Sequence, residues 1–236
     1  MKFPDSPPVA SSSFFVTLLE LTDASRLEFE TIPGVHHMVH HGLGLEEYQA
    51  FLHDLYHVVW HFCPTMAAAA THCGDDFRDV RYELYERIQE EKGHETWVLE
   101  DIEAMGGDAR GAAASAPSTP VQAMIGYNYY AAERVHPCSV LGMLYVLEML
   151  SSVYGGRAAD SIANALGRAA SGGGFKFLSS HASMDLDHMA KLNRLVKMIT
   201  DPEAQAAIVA STRVNFFQFG VMFGPEGFIS HVRPRP

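Results

Sequence analysis

The chain has 236 residues, 47% of them hydrophobic and 19% charged, which is enough apolar material for a packed core and excludes a disordered or fibrous chain. Its formal charge of -11 at pH 7, with 17 Lys and Arg against 28 Asp and Glu, excludes a nucleic-acid surface, because phosphate binding needs clustered cations. The acidic balance names no partner, since a solvated acidic face is common.

The N-terminal stretch MKFPDSPPVASSSFFVTLLELTD places prolines and an acid ahead of a short apolar run, the wrong order for a signal peptide. No apolar stretch is expected to reach the roughly 20 residues that span a bilayer, so a cytoplasmic chain with no membrane partner is expected. Cys63, Cys73 and Cys138 form no CxxC pair and read as reduced, buried thiols. The HHMVHH run, His36 to His41, lies between Gly34 and Gly42 and reads as a loop or exposed turn.

Helical periodicity then takes over. Leu45, Tyr48, Phe51, Leu52, Leu55, Val58 and Val59 recur at helical steps, and Pro64 is expected to bend or restart that helix. His53, His57 and His61 lie four apart along it, a stripe that could reach the interior, with His57 the better candidate for a site. A second run carries Leu84, Ile88, Val98, Ile102 and Met105 and stops at Gly106 and Gly107. Gly93 falls inside it, either as a close-packing position or as a break into two helices.

DARGAAASAPSTP reads as a connection. A third run begins near Val121 and meets a boundary or kink at Pro137. CSVLGMLYVLEMLSSVYGG, almost wholly apolar, reads as a central helix. SIANALGRAA, a glycine hinge at Ser171 to Gly174, the helix FKFLSSHASMDLDHMAKLNRLV and a closing helix after Asp201 complete the chain. No strand of clean alternation competes. The expected fold is all-α: one domain over residues 1–236, a multi-helix bundle with its core at about 45–223 and peripheral ends.

Three of these helices carry groups that bind metals. His181, Asp185 and His188 stand at i, i+4 and i+7, which returns all three to one face. Glu148 stands among Leu144, Tyr145, Val146, Leu147, Met149 and Leu150, where a carboxylate calls for a metal, a buried salt bridge or a route to solvent. Glu91 and His94, three apart, can share a face, as can Glu90 and His94. Six nitrogen and oxygen ligands suffice for two ions, and a set without thiolate suits iron, manganese or zinc. A bridging carboxylate such as Glu148 would offset the repulsion between two cations.

Together, EEKGH with Glu91 and His94, LEMLSS with Glu148, and HASMDLDH with its His-x3-Asp-x2-His spacing resemble the heme-oxygenase-like diiron oxidases and oxygenases. That group shares the wider fold of heme oxygenase and the TenA-type proteins, and the resemblance spans about Leu45 to Phe223. It implies a non-heme diiron centre with Glu91, His94 and His181 on one iron. Glu148, Asp185 and His188 complete the cluster, with Glu148 as bridge and the second iron labile. It further implies dioxygen and an external electron donor, such as a separate reductase. The reaction would be N-oxygenation, desaturation or oxidative carbon-carbon cleavage of a small amino-acid-like or fatty-acid-like substrate.

Tyr127, Tyr130, Tyr145, Phe175 and Phe177 are candidates to line a substrate cavity. Arg134 and Arg157 are candidates to hold a carboxylate. A homodimer is also allowed for. Two other readings stand beside this one: a TenA-like hydrolase without metal, for which Cys138 would be the nucleophile, and a metal-stabilised helical binding protein without catalysis.

Overall fold

The structure, a computed structural model, describes residues 13–228, and within them all side chains except those of Ala182, Ser183, Asp185 and Leu186. The expectation of peripheral ends therefore falls partly on residues 1–12 and 229–236, outside the described residues. The first helix, α1 (Phe14–Glu30), buries Phe14, Phe15, Leu18 and Phe29. Pro33, whose fixed φ suits a first helical position, opens α2 (Pro33–His41). The histidine run is therefore helix, not loop. Val35, Met38 and Val39 supply an apolar stripe at steps of three and four, while all four histidines lie exposed on the other side. Both helices belong to the hydrophobic core, so this part of the N-terminal region is not peripheral.

The long helix α3 (Leu45–His72) continues through Pro64 without restarting. The next predicted run divides at Gly93 (φ +91°) into α4 (Arg78–Glu91) and α5 (Glu95–Ala104). The small-residue connection contains a short helix, α6 (Ala109–Ala114), whose first turn is capped by Asp108 accepting from the Gly111 amide at 2.9 Å. Then come α7 (Thr119–Tyr130), a π-helical turn at Ala131–Val135 and the boundary expected at Pro137.

Beyond it, α8 (Ser139–Leu150), a second π-helical turn (Ser151–Gly155) and α9 (Gly156–Ala165) form one continuous run. Its 27 residues are long and apolar enough to cross a membrane, which corrects the expectation that no such stretch exists. Of its most apolar stretch, 67% is buried inside the fold, as befits a core helix. The chain closes with α10 (Lys176–Met198) and α11 (Pro202–Val221).

The described residues thus form an all-α, single-domain helical bundle in which α8 packs against α10 and α11. Gly142 permits the second contact, since a Cβ there would stand 2.5 Å from the Ile208 carbonyl oxygen on α11. The starts of α10 and the end of α5 are tied together: the buried Asp101 carboxylate accepts from the Lys176 and Phe177 amides, each at 2.8 Å. This satisfies two of the four amides that a helix N-terminus leaves unpaired. It also fixes His181 on α10 relative to His94 at the start of α5.

Candidate metal centre

Glu91 is the last residue of α4, and His94 immediately precedes α5. The left-handed Gly93 turn folds the second back on the first, so that the His94 Nδ1 and Glu91 Oε2 lie 2.9 Å apart. His94 stacks on Trp97, with ring centroids 4.0 Å apart, and meets His181 edge-on at 4.9 Å. His181 is itself stacked on Phe177 at 4.3 Å. Glu91, His94 and His181 are all buried, and each offers a donor atom within 4.8 Å of the others.

His188 approaches from the far side of Glu91. Its Nδ1 is 3.2 Å from Glu91 Oε1, and its Nε2 is 3.5 Å from Glu90 Oε2. Glu90 also pairs with Lys191. Partial burial raises the Glu90 carboxyl, but the Lys191 bond together with the charges of Lys191, Arg87 and His188 outweighs it and holds the group below its ordinary range. Glu148 is 3% exposed, and its Oε1 forms an ion pair at 3.0 Å with the Arg87 guanidinium. Of the three alternatives open for Glu148, the structure shows a buried salt bridge. Asp185 lies on α10, but its side chain is outside the described residues.

Arg87 was not legible as part of this site, although it stands one helical turn before Glu91 and therefore on the same face. It is only 1% exposed and also donates to the His188 carbonyl oxygen at 3.2 Å.

The carboxylates Glu91 and Glu148 and the His181 imidazole form the polar end of an apolar cavity of about 110 Å³. Its walls come from Phe29 on α1, Val35, Met38 and Val39 on α2, Phe51, Leu55 and Val58 on α3, and Leu178 on α10. Phe219 and Phe223 close it from the C-terminal side. Of the aromatic residues expected to line a cavity, Phe177 does so. Tyr145 instead packs on Phe15, Phe175 stacks on Tyr48, Tyr130 is exposed and Tyr127 is absent from the lining. Arg134 and Arg157 are exposed and outside the lining.

The α3 histidines also point elsewhere. His53 Nε2 lies 2.7 Å from the Ser115 hydroxyl, His57 bonds to the Ala112 backbone, and His61 Nδ1 lies 3.1 Å from the Tyr129 hydroxyl. None lines the cavity. Cys138 is buried at the start of α8, its thiol pushed up to about 12 by burial, and it too is outside the lining. Burial likewise pushes Cys63 up to about 11.

A donor set of one carboxylate and two imidazoles suits a first-row divalent ion. Metal–ligand bonds of about 2.1 Å reach donors up to roughly 4.2 Å apart, so the three atoms need only a small contraction to share one ion. These residues therefore fit a metal.

Fold and site together define a heme-oxygenase-like bundle with a buried carboxylate–imidazole cluster facing an apolar cavity. A family model described as iron-containing redox enzyme matches residues 49–216, and the chain belongs to that family. No curated protein matches it. Among solved structures, it is similar to a domain of unknown function with a heme oxygenase-like fold from Shewanella denitrificans OS217 (18% identity, TM-score 0.81, 94% of each chain). It is also similar to a TenA homolog from Pseudomonas syringae pv. tomato DC3000 (14% identity, TM-score 0.77, 98% of this chain and 100% of that one). A third likeness is to heme oxygenase-1 from the cyanobacterium Synechocystis sp. PCC6803 in complex with heme (17% identity, TM-score 0.72, 93% and 96%). At these identities the likeness establishes the fold, which heme oxygenase and TenA-type proteins share.

Proposed function

We propose that the chain is an iron-dependent oxidoreductase that uses dioxygen to oxidise a small organic substrate with an aliphatic portion. The observation that carries this reading is the meeting of Glu91, His94 and His181, two of which, Glu91 and His181, line an apolar cavity. Iron held there would bind and reduce dioxygen with electrons from an external donor. Glu91 supplies the anionic ligand and the two imidazoles the neutral ones; Trp97 and Phe177 hold the rings in orientation by stacking. Glu148, Asp185 and His188 are proposed as the ligands of a second ion.

The cavity walls exclude water and seat an apolar group, on the scale of the ~150 Å³ cavities that admit a benzene ring. Phe51, Leu55 and Val58 suit the aliphatic portion of a substrate, and desaturation or carbon-carbon cleavage would act on that portion.

The TenA-like hydrolase is the second reading, and the TM-score of 0.77 to a TenA homolog favours it. On that reading Glu91 and Glu148 would serve as acid and base without a metal, because the Cys138 thiol is far too basic and is not at the cavity. Anaerobic loading with ferrous iron, followed by metal analysis and oxygen uptake with medium-chain carboxylic acids, separates the readings. Stoichiometric iron and substrate-dependent oxygen uptake are expected. Iron binding without uptake for any acid or amine tested would favour the metal-stabilised binding protein, and no iron binding would favour the hydrolase.

A further inference from the structure

We infer that Arg87 occupies, as a built-in cation, the electrostatic place of a second metal ion, so that a second ion binds only when the guanidinium withdraws from Glu148. This rests on the metal-binding reading above and adds a control over how many ions the site carries.

The two buried carboxylates of the cavity are compensated differently. Glu91 faces imidazoles on both oxygens, His94 at 2.9 Å and His188 at 3.2 Å. An imidazole nitrogen is itself a metal ligand, so these partners can join an ion at Glu91 rather than oppose it. Glu148 instead faces a guanidinium at 3.0 Å, and a guanidinium keeps its charge at every accessible pH. A divalent ion on Glu148 would stand against that charge in a desolvated setting, where like charges repel strongly. The pair must open first.

The structure also supplies somewhere for Arg87 to go. Its Nη2 already lies 3.6 Å from Glu83 Oε1, one turn back along α4, and the Glu83 side chain is 23% exposed. A swing toward Glu83 exchanges one carboxylate for another and moves the charge toward solvent. The same swing breaks the Arg87 bond to the His188 carbonyl oxygen, at 3.2 Å. Departure of Arg87 therefore frees Glu148 and loosens the backbone of α10 at His188, two groups proposed for the second ion, in one movement. Arg87 is a positioning residue in this scheme.

The test is anaerobic titration of the full chain with Fe(II), and in parallel with Co(II), reading stoichiometry and stepwise affinity for the wild type, R87Q, R87K and E83Q. Wild type should bind one ion tightly and a second at least about tenfold more weakly, a gap of about 1.4 kcal/mol. R87Q should strengthen the second step by about tenfold while leaving the first within about twofold, and R87K, which keeps the charge, should resemble wild type. E83Q removes the alternative partner and should weaken the second step further; because Glu83 is partly exposed, this variant remains decisive should R87Q fail to fold. A second step unchanged in R87Q, or unchanged or stronger in E83Q, overturns the inference while leaving the metal reading intact. Two equal sites in wild type do the same. A wild-type chain that binds no ion overturns both.

Discussion

Two sets of histidines at helical spacing meet different fates in this molecule. On α3, His53, His57 and His61 repeat every fourth residue, yet they meet three separate partners, the Ser115 hydroxyl (with Asp54 3.5 Å away on the other ring nitrogen), the Ala112 backbone and the Tyr129 hydroxyl. At the start of α5 and on α10, His94, His181 and His188 are spaced no more regularly, but two of them flank Glu91 and the third lies beside His94. Spacing puts imidazoles on one face; what that face crosses decides their chemistry. Several imidazoles converging on one carboxylate make a ligand set; on α3 only His53 has a carboxylate within reach, that of Asp54 at 3.5 Å, and the three imidazoles spread along a structural seam.

The sharpest way to break this contrast is to remove one member from each set. Glu91→Gln and His181→Ala should each weaken binding of the first ion by about 100-fold or more, since each deletes a direct ligand of a three-residue set. His57→Asn and His61→Gln should leave it within about twofold. Anaerobic titration with Fe(II) measures both, and a comparable loss in His57→Asn would erase the distinction.

A smaller effect is expected at Gly93. Nothing lies within 4 Å of a Cβ added there, so Gly93→Ala costs only backbone strain at φ +91°, about 1–2 kcal/mol. Relieving that strain would swing His94 away from Glu91, and an affinity drop of about tenfold is expected along with the lower melting temperature. A variant that loses stability but keeps full affinity would show that His94 is held by Trp97 stacking rather than by the turn.

Asp101→Ala should cost about 1–2 kcal/mol by leaving the Lys176 and Phe177 amides without their acceptor. The loss of hydrogen-exchange protection should begin in the first turn of α10, ahead of His181. Uniform destabilisation across the bundle would mean that the α5–α10 tie does no special work for the site.

How far the sequence carried this picture depends on the range of the interaction. Periodicity and the stops at Gly106, Pro137 and Asp201 are local, and they give most of the helices and the all-α fold. The apolar neighbours of Glu148 likewise announced a buried carboxylate, but not which of three fates it met, because the answer, Arg87, lies 61 positions earlier on another helix. The same limit hid α2. VHHMVHH carries its apolar stripe on only three residues, and these become legible as a cavity wall only once α9 packs against them. At Gly93 both outcomes were open from the sequence, and the left-handed turn decided for two helices. The π-helical turn carrying Ser151, Tyr154 and Gly155 into the cavity lining had no signal in the periodicity at all.

The smallest effect separates the two histidine sets by pH. Burial holds His57 below its ordinary value, reinforced by the neighbouring His53 and His61 and opposed by the Ala112 carbonyl and Asp54; burial likewise holds His61 down. With a depressed value in the fold, the unfolded chain takes up the proton first. Stability from this pair is therefore intact above about pH 6.5 and is lost as the pH falls through the folded values. Melting temperatures of the metal-free chain between pH 8 and 5 should fall more steeply for wild type than for the His57→Asn/His61→Gln double variant, whose amides keep a polar group at each place but take up no proton. Metal-free protein is used for both, so that protons and metal do not compete at His94 and His181, and the difference between the two curves isolates the α3 pair. Parallel curves would mean that acid acts elsewhere, and that the α3 histidines do not tie stability to pH.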